Sequence, residues 1–234
     1  MALPKLTTPT YELELPSTAK PLKYRPWQVR EQKVLMIAQE SEDVKQIEDA
    51  FASIIRSCTF DKIDPYKSPL FDIEYIFLQL RGKSVGEKLK LSLLCSDDGV
   101  TRVEKEINLG DVKVQMDVNH DSIIKITDDI YVHMRYPQLS DMSLIDTDGQ
   151  VKLIFEMIKR CIMEIHDGET IHNKVDISDK ELDEFIGSMS QEHFQKISDF
   201  FETMPKLRHE IKVTNPKTKK SSKVVVEGLQ SFFA

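Results

Sequence analysis

Glycine is scarce in this chain, 8 residues in 234, and cysteine is scarcer, with only Cys58, Cys95 and Cys161. So little glycine excludes collagen-like and glycine-rich low-complexity architectures. Three cysteines, far apart and without a CxxC pair, argue against a disulfide framework and predict free thiols in a reducing cytoplasm. Long apolar runs are also missing: none exceeds five residues, where a membrane helix needs roughly 20. The opening "MALPKLTTPTYELELP" has no basic region followed by an apolar stretch, so no signal peptide is expected.

What remains is an ordinary globular composition, 40% hydrophobic and 30% charged, sufficient to bury a sizeable core. The net charge of −7 is unevenly placed. Between Lys206 and Lys223 seven basic residues (Lys206, Arg208, Lys212, Lys217, Lys219, Lys220, Lys223) face one acid, Glu210. That segment carries +6 and the rest of the chain −13. A lysine-rich turn of this kind is either simply solvated or a docking face for an acidic partner or the acidic body of a neighbouring copy. No aromatic residues interleave with these lysines as base-stacking platforms, which argues against nucleic acid.

Periodicity changes three times along the chain. "TYELELPSTAKPLKYRP" alternates Tyr11, Leu13, Leu15 and then Leu22, Tyr24 with charged residues, predicting a β-hairpin. Pro26 breaks the strand, and Trp27 leads into a helix through "QVREQKVLMIAQE". Ser41 is placed to cap a second helix with Val44, Ile47, Phe51, Ile54, Ile55 and Cys58 on one stripe. After the loop "DKIDPYKSP", "LFDIEYIFLQLRG" predicts a third helix ending at Gly82. "KLKLSLLCSDDGVTRVEKEINL" reads as a second hairpin, which "DVKVQMDV" and "DDIYVHMRYP" extend into one small antiparallel sheet.

Helices resume at Gly149. "QVKLIFEMIKRCIMEIHDG" sets Val151, Ile154, Phe155, Ile158, Cys161, Ile162 and Ile165 on one helical face. Ser178 and Glu181 form a capping box, with Ile177 stapling to Leu182, and a further helix carries Phe194, Ile197, Phe200 and Phe201 up to Pro205. "LRHEIKVTNPKTKKSSKVVVEGL" is a last hairpin. Antiparallel hairpins at the start, middle and end, with amphipathic helices between them, predict the α+β class. The expected organisation is one compact domain over residues 1–234, with 1–145 and 146–234 as its alternative subdivision.

No chemistry-bearing motif survives inspection. "RGKS" has the tail of a phosphate-binding loop, but Phe77 stands where that motif needs its first glycine. In the calcium-loop register of "DTDG", Leu144 and Phe155 fall at ligating positions, so a turn before the long helix is expected instead. His166 and His172 flank "DGETI" at a spacing weak for metal and read as loop residues, and His133 reads as solvent-facing on its strand. Cys161, on an apolar stripe, reads as a buried inert thiol. No catalytic, cofactor-binding or metal-binding residue is therefore assigned, and no cofactor is expected.

Three stretches carry a resemblance to a known family. "ALPKLTTPTYELELPSTAKPLKYRPWQVREQKVLMIAQES", "DISDKELDEFIGSM" and "FFETMPKLRHEIKVTNPKTKKSSKVVVEGLQSFFA" resemble the start, an internal helix and the end of the baseplate hub proteins of T-even-type tailed bacteriophages. The match spans most of the chain and is most specific at the ends. The resemblance implies a non-catalytic structural or assembly protein of a contractile-tail baseplate hub. Its expected partners are other phage tail and hub proteins or further copies of itself, without nucleic acid or membrane. The expected locations are the host cytoplasm during assembly and the virion tail. Some family members carry paired cysteines in the middle and last hairpin turns, as in a zinc ribbon; here "CSDDG" keeps only Cys95 and "NPKTKK" none, so no structural zinc is expected.

Two other readings remain open at this level. One is a chaperone that transiently binds another tail protein such as the tape measure. The other is a small phage enzyme acting on nucleic acid or cell wall, which would need His166, Asp167, Glu169 and His172 in one cleft. The partner-binding candidates are Lys206, Arg208, Lys217, Lys219, Lys220 and Lys223, with Leu229, Phe232 and Phe233 of the apolar end. These last three either fold onto the protein's own core or anchor in a neighbour.

Overall fold

The structure is a computed structural model that describes residues 6–141 and 149–228. These form two compact units, one built from 6–115 with 206–228 and the other from 116–205. The described residues hold six α-helices and eleven strands, and every strand pairing is antiparallel. The α+β class is the one found.

The first unit opens with a hairpin, β1 (Tyr11–Glu14) and β2 (Pro21–Tyr24). Three helices follow: α1 (Val29–Ser41), α2 (Val44–Cys58) and α3 (Leu70–Ser84). The alternating residues Leu13, Leu15, Leu22 and Tyr24 are buried against Leu35, Ile54, Ile55, Cys58, Ile76 and Phe77. Trp27 and Phe51 flank Phe77, with ring centroids 5.2 and 4.3 Å away. Helix α3 is buried on several sides, its Ile73, Ile76, Phe77 and Leu80 in this core and Leu78 in a second one. A helix apolar around its circumference needs such surroundings.

The second core lies under two sheets. Strands β3 (Lys88–Leu94) and β4 (Arg102–Asn108) form the expected middle hairpin. Strand β5 (Lys113–Gln115) does not continue it. It pairs instead with β10 (Lys206–Thr214), whose other edge pairs with β11 (Ser221–Glu227), giving the order β11-β10-β5. Leu91, Leu93, Ile107, Leu207, Ile211, Val213 and Val226 fill this core.

The three hairpin turns of this unit share one construction. In each, the residue four after the turn's start donates its N–H back to the first carbonyl: Ala19 to Leu15, Gly99 to Cys95 and Lys219 to Asn215, at 2.8, 3.0 and 2.9 Å. Each donor is left-handed, at φ 53, 64 and 62°. Pro16 and Pro216 sit second in their turns, where a fixed φ favours the bend.

The second unit holds the sheet β6-β7-β8-β9, formed by Ile123–Lys125, Ile130–Met134, Ile162–Asp167 and Thr170–Asn173. Its helices are α4 (Gln150–Cys161), α5 (Asp179–Gly187) and α6 (Gln191–Thr203). Val132, Met134, Ile158, Ile162, Leu182, Ile197 and Phe200 make the core. The Ser178–Glu181 capping box forms as expected, Ser178 N–H donating to Glu181 Oε2 at 2.8 Å. His120 packs in a three-ring cluster with Tyr136 and Phe200, its Nδ1 2.9 Å from Thr203 Oγ1.

Several local expectations are corrected. Asp43, not Ser41, caps α2 and accepts from the Lys45 and Gln46 amides, because Ser41 Oγ is drawn back to the Ala38 carbonyl. Helix α3 runs through Gly82 to Ser84, since Gly82 faces Glu87 and Leu109 inside the fold; Gly86, at φ 142°, lies just beyond the end. The expected single middle sheet is three, because β5 and β7 find partners far along the chain. The helix from Gln150 stops at Cys161, and Ile162–Asp167 is a strand. A bulge opposite His133/Met134 leaves Met163 without a partner, so Ile162 and Ile165, three apart, both face inward and imitate a helical stripe. His166 and His172 consequently lie on strands, not in loops.

One ion pair is buried in the first unit. Arg25 Nη2 donates to Glu31 Oε1 at 2.8 Å and to Ser57 Oγ at 2.8 Å, and both charged side chains are over nine-tenths buried. Burial alone would raise the Glu31 carboxyl. Donors from Arg25, the Gln28 amide, Arg30 and Ser57 outweigh it and bring it down to about 2. Replacing Glu31 by Gln strands a buried guanidinium and is expected to cost about 3–5 kcal/mol in denaturant melts. The wild-type contribution is complete above the ordinary carboxyl value of 4.5 and fades as pH falls toward about 2. In the second unit, burial lowers the His120 pKa below its ordinary 6.5. The unfolded chain therefore binds that proton first. Thermal stability is expected to fall as pH drops below 6.5, and His120→Gln to flatten that dependence.

Candidate functional site

The basic segment lies on β10, β11 and the turn between them. Strand register places Lys212 opposite Lys223 and Arg208 opposite Glu227. Part of the charge is balanced within the hairpin: Lys223 Nζ is 2.8 Å from Glu210, Lys206 Nζ 3.5 Å from Glu227, and Arg208 Nε 4.0 Å from Glu227. Lys217, Lys219 and Lys220 are different. They project from the exposed turn and make no ion pair among the described residues. The tip lysines thus differ from Lys206, Arg208 and Lys223, which make ion pairs within the hairpin. Leu229, Phe232 and Phe233 lie outside the described residues, as do Asp146 to Asp148 of "DTDG".

The tip is held by the turn of the middle hairpin. Asn215, buried at 1% exposure, donates Nδ2–H to Asp97 Oδ1 and Oδ2 at 3.0 and 3.2 Å and to Asp98 Oδ2 at 2.9 Å. Its Oδ1 accepts from the Lys217 and Thr218 amides at 2.8 and 3.3 Å, and Thr218 Oγ1 donates to Asp97. Asp98 also caps its own turn, accepting from Thr101 Oγ1 at 2.6 Å and from the Thr101 and Val100 amides. Both carboxyls lie below the usual carboxylate range, Asp97 chiefly through Thr218 and Asn215, and Asp98 chiefly through Thr101. These are the two turns that the family resemblance compares with a zinc ribbon. Here an amide, a hydroxyl and two carboxylates join them, beside a buried Cys95 whose thiol is pushed up by burial.

Asn215, Asp97 and Asp98 were not singled out from sequence. "NPKTKK" and "CSDDG" each announce a turn, but 118 residues separate Asn215 from Asp97, and nothing local shows that the turns meet. Structure also refines the charge asymmetry. Residues 116–205 contain 8 basic and 19 acidic side chains, net −11; the remainder, including the basic hairpin, has 24 and 20, net +4.

The four residues required by an enzyme reading do not converge. Asp167 and His172 line one shallow depression of about 410 Å³ with Ile165 and Phe185. His166 points to the opposite sheet face, with Nε2 3.1 Å from Glu164, and Glu169 lies in the exposed turn. The His133 ring is 3.7 Å from Glu164 on that face and half-exposed. Burial pushes the Cys58 and Cys161 thiols up to about 11 and about 12, which suits inert core positions. Among the described residues no group of three or more His, Cys, Asp or Glu is arranged to hold a metal ion, and no helix is long and apolar enough to cross a membrane.

The paired hairpins thus carry exposed lysines on a turn tied down by hydrogen bonds. The comparison with protein families is more specific: a family described as T4 bacteriophage base plate protein matches residues 8–234. The chain therefore belongs to the T4-type phage baseplate protein family. No curated protein and no solved structure matches it.

The Asn215 clasp can be tested by charge. Asn215→Asp places a third carboxylate against Asp97 and Asp98, so a loss of roughly 1–3 kcal/mol is expected at neutral pH. Like-charge crowding raises carboxyl pKa values. The variant should therefore recover relative to wild type as pH falls through the carboxylate range, read as melting temperature against pH.

Proposed function

We propose that this baseplate protein is a non-catalytic component of the central hub of a contractile tail, acting through protein–protein contacts. The observation that carries the reading is the clasped hairpin tip. Lys217, Lys219 and Lys220 stand on a turn pinned by Asn215 and Thr218, with no ion pair among the described residues. Charge presented on a pinned turn is pre-organised, so less ordering entropy is lost when an acidic partner binds. Lys206, Arg208 and Lys223 continue the surface down the strands, and in this reading Leu229, Phe232 and Phe233 anchor in a neighbouring subunit. The partners in this reading are other hub and tail proteins, met in the host cytoplasm during assembly.

A second reading, an assembly chaperone for another tail protein, has an observation of its own. The first two turns of α4 expose Val151, Ile154 and Phe155 at 70, 50 and 36%. An apolar helix face of this kind suits transient capture of an unassembled partner.

Replacing Lys217, Lys219 and Lys220 together by Gln, which removes the charge without crowding Asp97 and Asp98, should change stability by no more than about 0.5 kcal/mol, because all three are exposed and off the core. In infected cells complemented with this variant, baseplate assembly is expected to fail. Assembly at the wild-type level would overturn the role of the tip. Mass spectrometry of purified virions separates the two readings: a hub component is retained, whereas a chaperone is absent.

A further inference from the structure

Strand β11 is the outer strand of the sheet β11-β10-β5. Among the described residues, the backbone of 221–227 hydrogen-bonds only toward β10. Its sequence, "SSKVVVE", has high β propensity, with no proline and no bulge, and its charged residues Lys223 and Glu227 flank an uncharged run of three valines. Val225 faces outward at 41% exposure, and Val226 faces the core at 3%. A valine-rich edge seven residues long is a template for another strand.

The order of its side chains specifies which strand. We infer that β11 pairs with β11 of a second copy of this chain, antiparallel and centred on Val225, joining two three-stranded sheets into one. In that register Val225 lies opposite Val225 of the other copy, Val224 opposite its Val226, and Lys223 opposite its Glu227. The two-fold axis repeats the last two pairings. Each outer row then places a carboxylate of one copy beside a lysine of the other at the seam. Lys212 and Lys223, like charges side by side within one copy, gain Glu227 of the other copy as their neighbour. Glu227 there keeps its own Lys206 and Arg208 contacts, since a carboxylate accepts from several donors. On the inner face the half-buried Val224 meets a buried Val226, so the apolar layer continues across the seam. Registers shifted by two residues lose this match: one direction sets Lys223 against Val225, the other Val225 against Glu227. Contacts of this kind are isologous and close at two copies. The inference stands apart from the hub reading, because it rests on strand order and charge alone.

Sedimentation velocity on the full-length chain tests it. The wild type is expected to sediment as a dimer at high micromolar concentration. Val225→Lys, which sets two lysines face to face at an exposed position, should weaken it at least tenfold with an unchanged circular dichroism spectrum. Lys223→Glu alone and Glu227→Lys alone should each be monomeric, since each homodimer would oppose like charges twice. Mixed together they should form a heterodimer, because both rows then pair Glu with Lys. A monomeric wild type, a dimer indifferent to Val225→Lys, or a mixture no more associated than its components would each overturn the inference.

Discussion

The position of β10 is the constraint on which the first unit depends. This strand pairs with β11 on one side and with β5 on the other, and buries Leu207, Ile211 and Val213 beside Leu78 of α3. Without it, β5 would be three residues with no partner, and the apolar face of the β3–β4 hairpin would lose much of its cover. Because β10 begins at Lys206, the first unit is complete only after the second, residues 116–205, has been passed through. Contacts of such sequence separation form late and cost loop-closure entropy, which the packed core must offset.

Polar chemistry in the first unit serves positioning. Asp72 accepts from the Ser17 amide in the first hairpin turn, Asp97 and Asp98 accept from Asn215 in the last, and Glu31 gathers Arg25, Arg30 and Ser57. Each carboxylate ties a turn or a helix start to a distant element. Left-handed residues at Ala19 and Lys219, where glycine is the easier choice, show that these turns are held by their surroundings.

Charge follows the same division of labour. The second unit carries the net negative charge, while the turn lysines of the first make no ion pair among the described residues. Surface pairs such as Lys88–Glu106 contribute little to stability in water. Their placement matters more for which surfaces attract each other. A cationic hairpin and an acidic unit on one polypeptide make its charge distribution strongly asymmetric.

Much of this was legible in the residues themselves. Alternation disclosed the three hairpins, Ser178 and Glu181 disclosed the start of α5, and the ends of the chain disclosed the family. Local physics suffices there, since capping, turn geometry and half-buried alternation are decided within a few residues. Other features needed the tertiary structure. Ile162 and Ile165 carry a helical spacing, yet pairing with β7 and β9 around a bulge makes them a strand. Strand β5 looks like an extension of its neighbours until β10 arrives from 91 positions later, counted from Gln115 to Lys206. Asn215 reads as an ordinary turn residue until its amide meets Asp97 and Asp98. The sequence by itself determined the elements, the class and the family. Which strands share a sheet, and which turns are locked together, depended on contacts between distant residues, and no local pattern encodes those.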